Sequence, residues 1–83
     1  MMFNAKVTVR LKKGLLDPQG TAINGALKSL GFSGVKEVKV GKFIEIFIDA
    51  KNEAEARKKA DEMGKKLLAN PVIEVYTVEI EAA

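Results

Sequence analysis

Apolar and polar residues alternate from Phe3 to Lys13, with Phe3, Ala5, Val7, Val9 and Leu11 on one side and Asn4, Lys6, Thr8, Arg10 and Lys12 on the other. A two-residue period predicts a strand with one face in a core and a basic face turned outward. The period then lengthens. After Leu15-Leu16-Asp17-Pro18-Gln19-Gly20, Ala22, Ile23, Ala26, Leu27 and Leu30 recur at helical spacing, which predicts a helix from Pro18 to about Leu30 with those residues as its buried stripe. Asp17 can accept from the free N–H groups of the first turn, and proline is well placed at the first helical position. Gly31 supplies a left-handed cap, with Phe32 folding back beyond it.

Val35 to Val40 reads as a short strand and Gly41-Lys42 as a tight turn. Phe43 to Asp49 is the clearest strand, with Ile44, Ile46 and Ile48 on one face and Phe43, Glu45, Phe47 and Asp49 on the other. A second helix starts at the capping pair Asn52 and Glu55. It buries Ala56, Ala60, Met63 and Leu67, and Gly64 beside that stripe permits close approach of a neighbour. It stops before Pro71, because Asn70 is pushed out of the helical region. Val72 to Glu81 is a last strand, apolar on both faces at Val72, Ile73, Val75, Tyr76, Val78 and Ile80.

Strand, helix, strand, strand, helix, strand is the order of the ferredoxin-like βαββαβ arrangement. The expected fold is α+β, a two-layer sandwich with a four-stranded antiparallel sheet. Right-handed crossovers place both helices on one face of it. The first and third strands are expected side by side at the centre. Lys6, Arg10 and Lys12 would then meet Glu45 and Asp49 across the open face.

The 83 residues are expected to form a single domain, 1–83. So small a chain buries only about 60% of its extended surface, and with no cysteine to cross-link it, it is expected to gain stability by association. The 47% hydrophobic and 30% charged fractions are those of a soluble globular protein. No apolar run approaches the ~20 residues of a membrane span, and the first residues lack a signal-peptide layout, so a cytoplasmic location is expected. Histidine and cysteine are both absent. That removes the commonest acid–base group, the commonest metal ligand and the thiol nucleophile, and Ser29 and Ser33 have no obvious activating base. A self-contained enzyme is disfavoured, and no catalytic or metal-binding residue is assigned.

Net charge is +3 but uneven: residues 1–42 carry eight Lys or Arg against two acids, residues 43–83 six against nine. Such a split suits either a nucleic-acid face or two segments that neutralise each other. For RNA, the run Gly41-Lys42-Phe43-Ile44-Glu45-Ile46-Phe47-Ile48 departs from the recognition consensus. Its first two residues are reversed and Glu45 stands where the second stacking aromatic belongs. On the second helix, Glu53–Arg57, Glu55–Lys59, Asp61–Lys65 and Glu62–Lys66 place an acid four residues ahead of a base, a solvated face rather than a patch for nucleic acid. A small-ligand-sensing or RNA-binding module of the same fold is the alternative reading.

Two surfaces stand out. Phe43 and Phe47 on the open face, with Val75 and Tyr76 of the doubly apolar last strand, suit cover by a second copy of the chain. Between Pro18 and Val35 the only charged residue is Lys28. Charge depletion marks a surface meant to be covered, so Leu15, Leu16, Asp17, Gln19, Gly20, Asn24 and Gly25 form a candidate docking corner. The glycines make no phosphate loop, since the Walker pattern is absent.

The runs Val7-Thr-Val-Arg-Leu-Lys-Lys-Gly-Leu-Leu-Asp-Pro-Gln-Gly20, Ala26-Leu-Lys-Ser-Leu-Gly31, Val38-Lys-Val-Gly-Lys42 and Leu67-Leu-Ala-Asn-Pro-Val-Ile-Glu-Val-Tyr76, in this order and spacing, resemble the PurS family, the small subunit of phosphoribosylformylglycinamidine synthase. The resemblance runs from about Val7 to Tyr76. It implies a non-catalytic subunit of a ligase complex in purine biosynthesis. In that complex a glutaminase subunit releases ammonia, and a large synthetase subunit uses ATP and magnesium to convert formylglycinamide ribonucleotide to the amidine. The resemblance implies that the small subunit bridges the two, assists ammonia transfer, binds no cofactor itself and forms homodimers or higher homo-oligomers. Neither nucleic acid nor a membrane is an expected partner.

Overall fold

A computed structural model describes all residues from Met1 to Ala83. Strand β1 (Met2–Leu11) turns Phe3, Ala5, Val7 and Val9 into the core, each almost wholly buried. It lies at the centre of a three-stranded antiparallel sheet, between β2 (Lys42–Asp49) and β3 (Glu74–Ala82). The register sets Lys6 between Glu45 and Glu79, and Thr8 between Phe43 and Thr77. The fold is α+β, as expected.

Helix α2 (Glu53–Met63) lies across the apolar face of this sheet. Asn52 caps it, accepting from the Glu55 N–H at 2.9 Å. Ala56 and Ala60 are fully buried against Phe3, Ala5, Ile48 and Ala50, where small side chains let helix and sheet approach closely. The helix then widens into a π turn over Gly64–Leu68, closed by the Ala69 N–H donating to the Gly64 carbonyl five residues back. The extra residue rotates the last turn. Leu68, not the expected Leu67, packs toward the core, and Leu67 is 82% exposed. Gly64 is required by packing: a Cβ there would stand 2.7 Å from the Tyr76 ring.

Helix α1 (Pro18–Ser29) departs from expectation. Its termini form as predicted: Asp17 caps the start, and the end closes with Phe32 N–H to the Leu27 carbonyl and Gly31 N–H to the Lys28 carbonyl, Gly31 taking a φ of +98°. Yet Gly20 is its only buried residue, and Ile23, Ala26 and Leu30 of the expected stripe are exposed. The helix is therefore not a second layer over the sheet. It projects, and the chain spans 51 × 27 × 14 Å with a radius of gyration of 16.3 Å, against about 12 Å for a compact domain of this length.

Val35–Val40 forms no regular element and pairs with no strand, so the sheet has three strands and not four, and β2 is an edge. The reason is local. The Val40 N–H donates to the Asp17 carboxylate at 2.7 Å, and the Val38 carbonyl packs on the Gly20 backbone, where a Cβ would come within 1.9 Å. The segment's polar groups are turned toward the start of α1, away from the edge of β2. Helix and return segment together make an arm hinged on the Asp17 corner. The last strand also starts later than expected, at Glu74, because Asn70 accepts from the Val72 N–H with its side chain and from the Glu74 N–H with its carbonyl, forming a turn after Ala69.

Candidate functional site

The corner at the base of the arm is built on Asp17. One carboxylate oxygen accepts from the Gly20 N–H at 2.9 Å and the other from the Val40 N–H at 2.7 Å. These bonds hold its carboxyl below the usual carboxylate range, with the Gly20 bond contributing most. The carboxylate is thus a staple between helix start and return segment, and Gly20 is the one residue small enough to let Val38 in. Leu15, Leu16, Asp17, Gly20 and Asn24 line one crevice of about 220 Å3, with Val38 across from them. Leu16 is 91% exposed, and the Asn24 side-chain oxygen has no hydrogen-bond partner. Gln19 opens instead onto the neighbouring cleft beside Leu11 and Ile73. Gly25 is exposed farther along the helix, with open space about it. Six of the seven candidate residues thus gather at the corner and Gly25 stands apart. Val38 and Val40, which complete the staple, were not among them; their only trace in the sequence is a carboxylate with one oxygen more than a cap requires.

The open face of the sheet is the second region. Phe43 and Phe47 stand on it, 61% and 64% exposed, with Val75 across the sheet. Tyr76 belongs to the opposite face. It packs on Gly64 and donates its hydroxyl to Asp61 at 2.7 Å, so it is a core residue of the helix side. That bond raises the phenol above its ordinary range and lowers the Asp61 carboxyl, leaving Tyr76 a fixed donor.

Charges on the open face do not cancel as expected. Lys6 alone is neutralised: it pairs with Glu81 at 2.9 Å, and its flanking glutamates also keep its ammonium charged. Asp49 is at the far end of the face from Arg10 and Lys12, holding the terminal ammonium at 3.1 Å. Arg10, Lys12 and Lys13 make no ion pair. With Lys39 and Lys42 they rim a cleft of about 700 Å3 whose apolar wall is Phe43 and Val75. One end of the face is basic and the other acidic. No three acids come together to hold a metal ion, and no helix is long and apolar enough to cross a membrane.

The sequence model of the PurS family, described as phosphoribosylformylglycinamidine (FGAM) synthase, matches residues 4–82. The chain belongs to the PurS family. The FGAM synthase subunit PurS of Methanocaldococcus jannaschii is 48% identical over 80 residues, covering 96% of each chain. That of Bacillus subtilis is 44% identical over 80 residues, 96% of this chain and 94% of its own. Among solved structures, Thermus thermophilus PurS shares 50% identity and a TM-score of 0.89, covering 100% of this chain and 99% of that one. A chain of PurLQS from Thermotoga maritima shares 28% identity and a TM-score of 0.88, covering 98% and 99%. As a PurS-family member the chain is a subunit of FGAM synthase, in purine biosynthesis. The RNA-binding and ligand-sensing alternatives are not favoured.

Proposed function

We propose that this PurS-family chain is the non-catalytic bridge of its synthase, holding a glutaminase subunit and an ATP- and magnesium-using synthetase subunit together while ammonia passes between them. The near full-length likeness to a chain of the Thermotoga PurLQS assembly carries this reading. The side-chain inventory supports it: without histidine, cysteine or an acid cluster, the chain has no group to release ammonia or activate an amide. Its contribution is to position others, keeping two active sites at fixed distance around a path shielded from bulk water.

In this reading the corner at Leu15, Leu16, Gln19 and Gly20 docks another subunit, with Asp17 holding its shape and Asn24 and Gly25 extending it along α1. A projecting helix with exposed Ile23, Ala26 and Leu30 and a single charge at Lys28 suits burial on assembly. The open face, with Phe43, Phe47 and Val75, pairs with a second copy, making the chain a homodimer at least. The 83 residues act as one cytoplasmic unit. We read its architecture as ferredoxin-like, short of an edge strand while the arm is unpartnered. Reconstitution tests the whole: added to glutaminase and synthetase subunits of its own complex, the chain restores glutamine-dependent amidine formation. Absence of stimulation overturns the proposal.

A further inference from the structure

Between Lys65 and Ile73 the chain holds two lysines and no acid, and most of its apolar residues face outward. Leu67, Pro71, Val72 and Ile73 are all exposed, Val72 by 76%. Single exposed leucines are ordinary on a protein surface, but apolar residues this close along the chain make a patch. The π turn is its cause. A regular helix would aim Leu67 at the core with Ala56, Ala60 and Met63; the added residue turns Leu68 inward and Leu67 out. Widened turns of this kind are rare and recur at functional sites. Beyond it, the Ile73 and Glu74 N–H groups close a turn on the Asn70 carbonyl. Leu67 and Val72 are within about 18 Å even along a straight chain, and the turn draws them closer.

The charge about this patch is one-sided. Lys66 makes no ion pair, nor does Lys12, whose N–H donates to the Ile73 carbonyl at 2.8 Å. Lys65 alone is paired, with Asp61 at 3.3 Å. Glu74 is withdrawn: its carboxylate accepts from the Asn70 N–H at 2.7 Å and stands 3.9 Å from Lys42. Lysines are at home near a helix C-terminus and by themselves mean nothing. Beside an exposed leucine and valine they give the patch a cationic rim with no free acid. Ile73 also walls the cleft of about 330 Å3 that Leu16, Pro18 and Gln19 line from the arm. The patch thus continues the docking corner across the end of the body. It is on the helix side, where Gly64 packs on the Tyr76 ring, and not on the open face of Phe43 and Phe47.

We propose that the π turn and the Asn70 turn extend the docking corner onto the body. One surface of another synthase subunit, apolar at its centre and rimmed by carboxylates, covers Leu16, Ile73, Val72 and Leu67 together. This rests on the docking reading above and adds the partner's chemistry to it. Burial of the apolar centre supplies attraction, and carboxylates at the rim find Lys66 and Lys12 unpaired, which fixes orientation and speeds encounter. A second copy laid patch on patch would set lysine against lysine.

Titration calorimetry of the full chain with the glutaminase and synthetase subunits tests this, comparing wild type with Leu67→Asp, Lys66→Glu and Gln19→Lys. Leu67→Asp is expected to weaken binding by about tenfold or more, since it sets a carboxylate against an apolar, acidic surface. Lys66→Glu is expected to weaken it by about threefold or more at 50 mM salt, with the loss shrinking toward about 500 mM. Urea midpoints stay at the wild-type value, because both side chains are exposed. Val72→Asp, outside the helix, makes the same test should Leu67→Asp fail to fold. Binding weakened by Gln19→Lys but unmoved by the other three variants overturns the extension and leaves the corner standing. Wild-type affinity in all of them overturns both, and tighter binding by Lys66→Glu overturns the acidic rim. A wild-type chain that binds neither subunit overturns the proposed function itself. Sedimentation velocity on Leu67→Asp alone closes the set: self-association lost with subunit affinity kept gives the patch to a second copy and overturns the proposal.

Discussion

Two amphipathic helices in this chain have opposite fates. Helix α2 packs its alanines on the sheet and is a wall of the core, while α1, with a stripe at least as apolar, stands clear of it. The difference does not lie in the stripes. It lies in the tethers. Helix α2 is held by a broad seam of Ala56, Ala60, Gly64 and Leu68 against β1, β2 and the Tyr76 ring. Helix α1 is held at one corner, by one carboxylate and one glycine. A periodic stripe says that a helix has a face to bury; only the tether says whether its own chain buries it. The sheet and α2 form a body that holds itself together, and α1 with its return segment is an arm whose apolar residues its own chain leaves exposed.

The strongest way to break this contrast is to truncate one branched apolar side chain to alanine in each region. Val7→Ala removes two methyls from a fully buried site and costs about 2 kcal/mol in urea unfolding at fixed protein concentration. Ile23→Ala in the arm costs less than about 0.5 kcal/mol in the same assay. Equal losses would mean that α1 lies on the core in solution.

Next in size is a substitution aimed at the hinge. Gly20→Ala drives a methyl into the Val38 carbonyl, and backbone on both sides cannot yield without shifting the return segment. Hydrogen exchange at the Val40 amide is expected to quicken by about tenfold or more, while the amides of β1 keep their protection. Faster exchange in both regions would show that arm and body open as one unit.

Much of this was legible in the sequence. The alternation of β1, the caps at Asp17 and Asn52 and the glycine turn after Leu30 are local signals, each decided within a few residues. The missing fourth strand was not, because Val35–Val40 has strand-like alternation and its fate turns on a carboxylate more than twenty residues away. The π turn was equally hidden: one added residue exchanges Leu67 for Leu68, and both read as apolar. For Tyr76 the pattern carries no direction, because β3 is apolar on both faces; pairing with Val9 sets it on the helix side, apart from Val75. Arg10 and Lys12 were expected to meet acids, which holds for Lys6 alone, because the acids crowd the other end of the register. At the corner, Asp17 and Gly20 were visible, but the Val38 and Val40 groups they hold needed the fold.

A pH series sharpens the contrast more gently. The Gly20 and Val40 N–H groups favour ionised Asp17, so its folded value is below its unfolded value near 3.9. The staple's contribution is fully present above that unfolded value and fades as pH falls through the lower folded one. The Val40 amide signal should hold steady through pH 5 and move only in stronger acid. At the alkaline end the body responds instead. Tyr76 titrates above its ordinary value near 10, and its contribution is full below that value and lost as pH rises through the folded one. A Val40 signal that moves in the alkaline range would tie the staple to the core.

The smallest effect on the chain itself is expected where the effect on assembly is specific. Gln19 is exposed at the first turn of α1 and makes no hydrogen bond with its side chain. Gln19→Lys keeps a long, flexible, polar side chain in place, so stability should change by less than about 0.5 kcal/mol and self-association should not change. A positive charge added to the cleft that Lys42 and Glu74 also line must be desolvated when another subunit covers it, and a charge buried at an interface is costly. If the corner docks as proposed, gel filtration with the glutaminase and synthetase subunits should show assembly weakened by about tenfold or more, with the proposed self-association unchanged. Unchanged assembly would reduce the corner to a helix cap with a long reach, and the docking surface would then have to lie farther out along α1, at Ile23, Ala26 and Leu30.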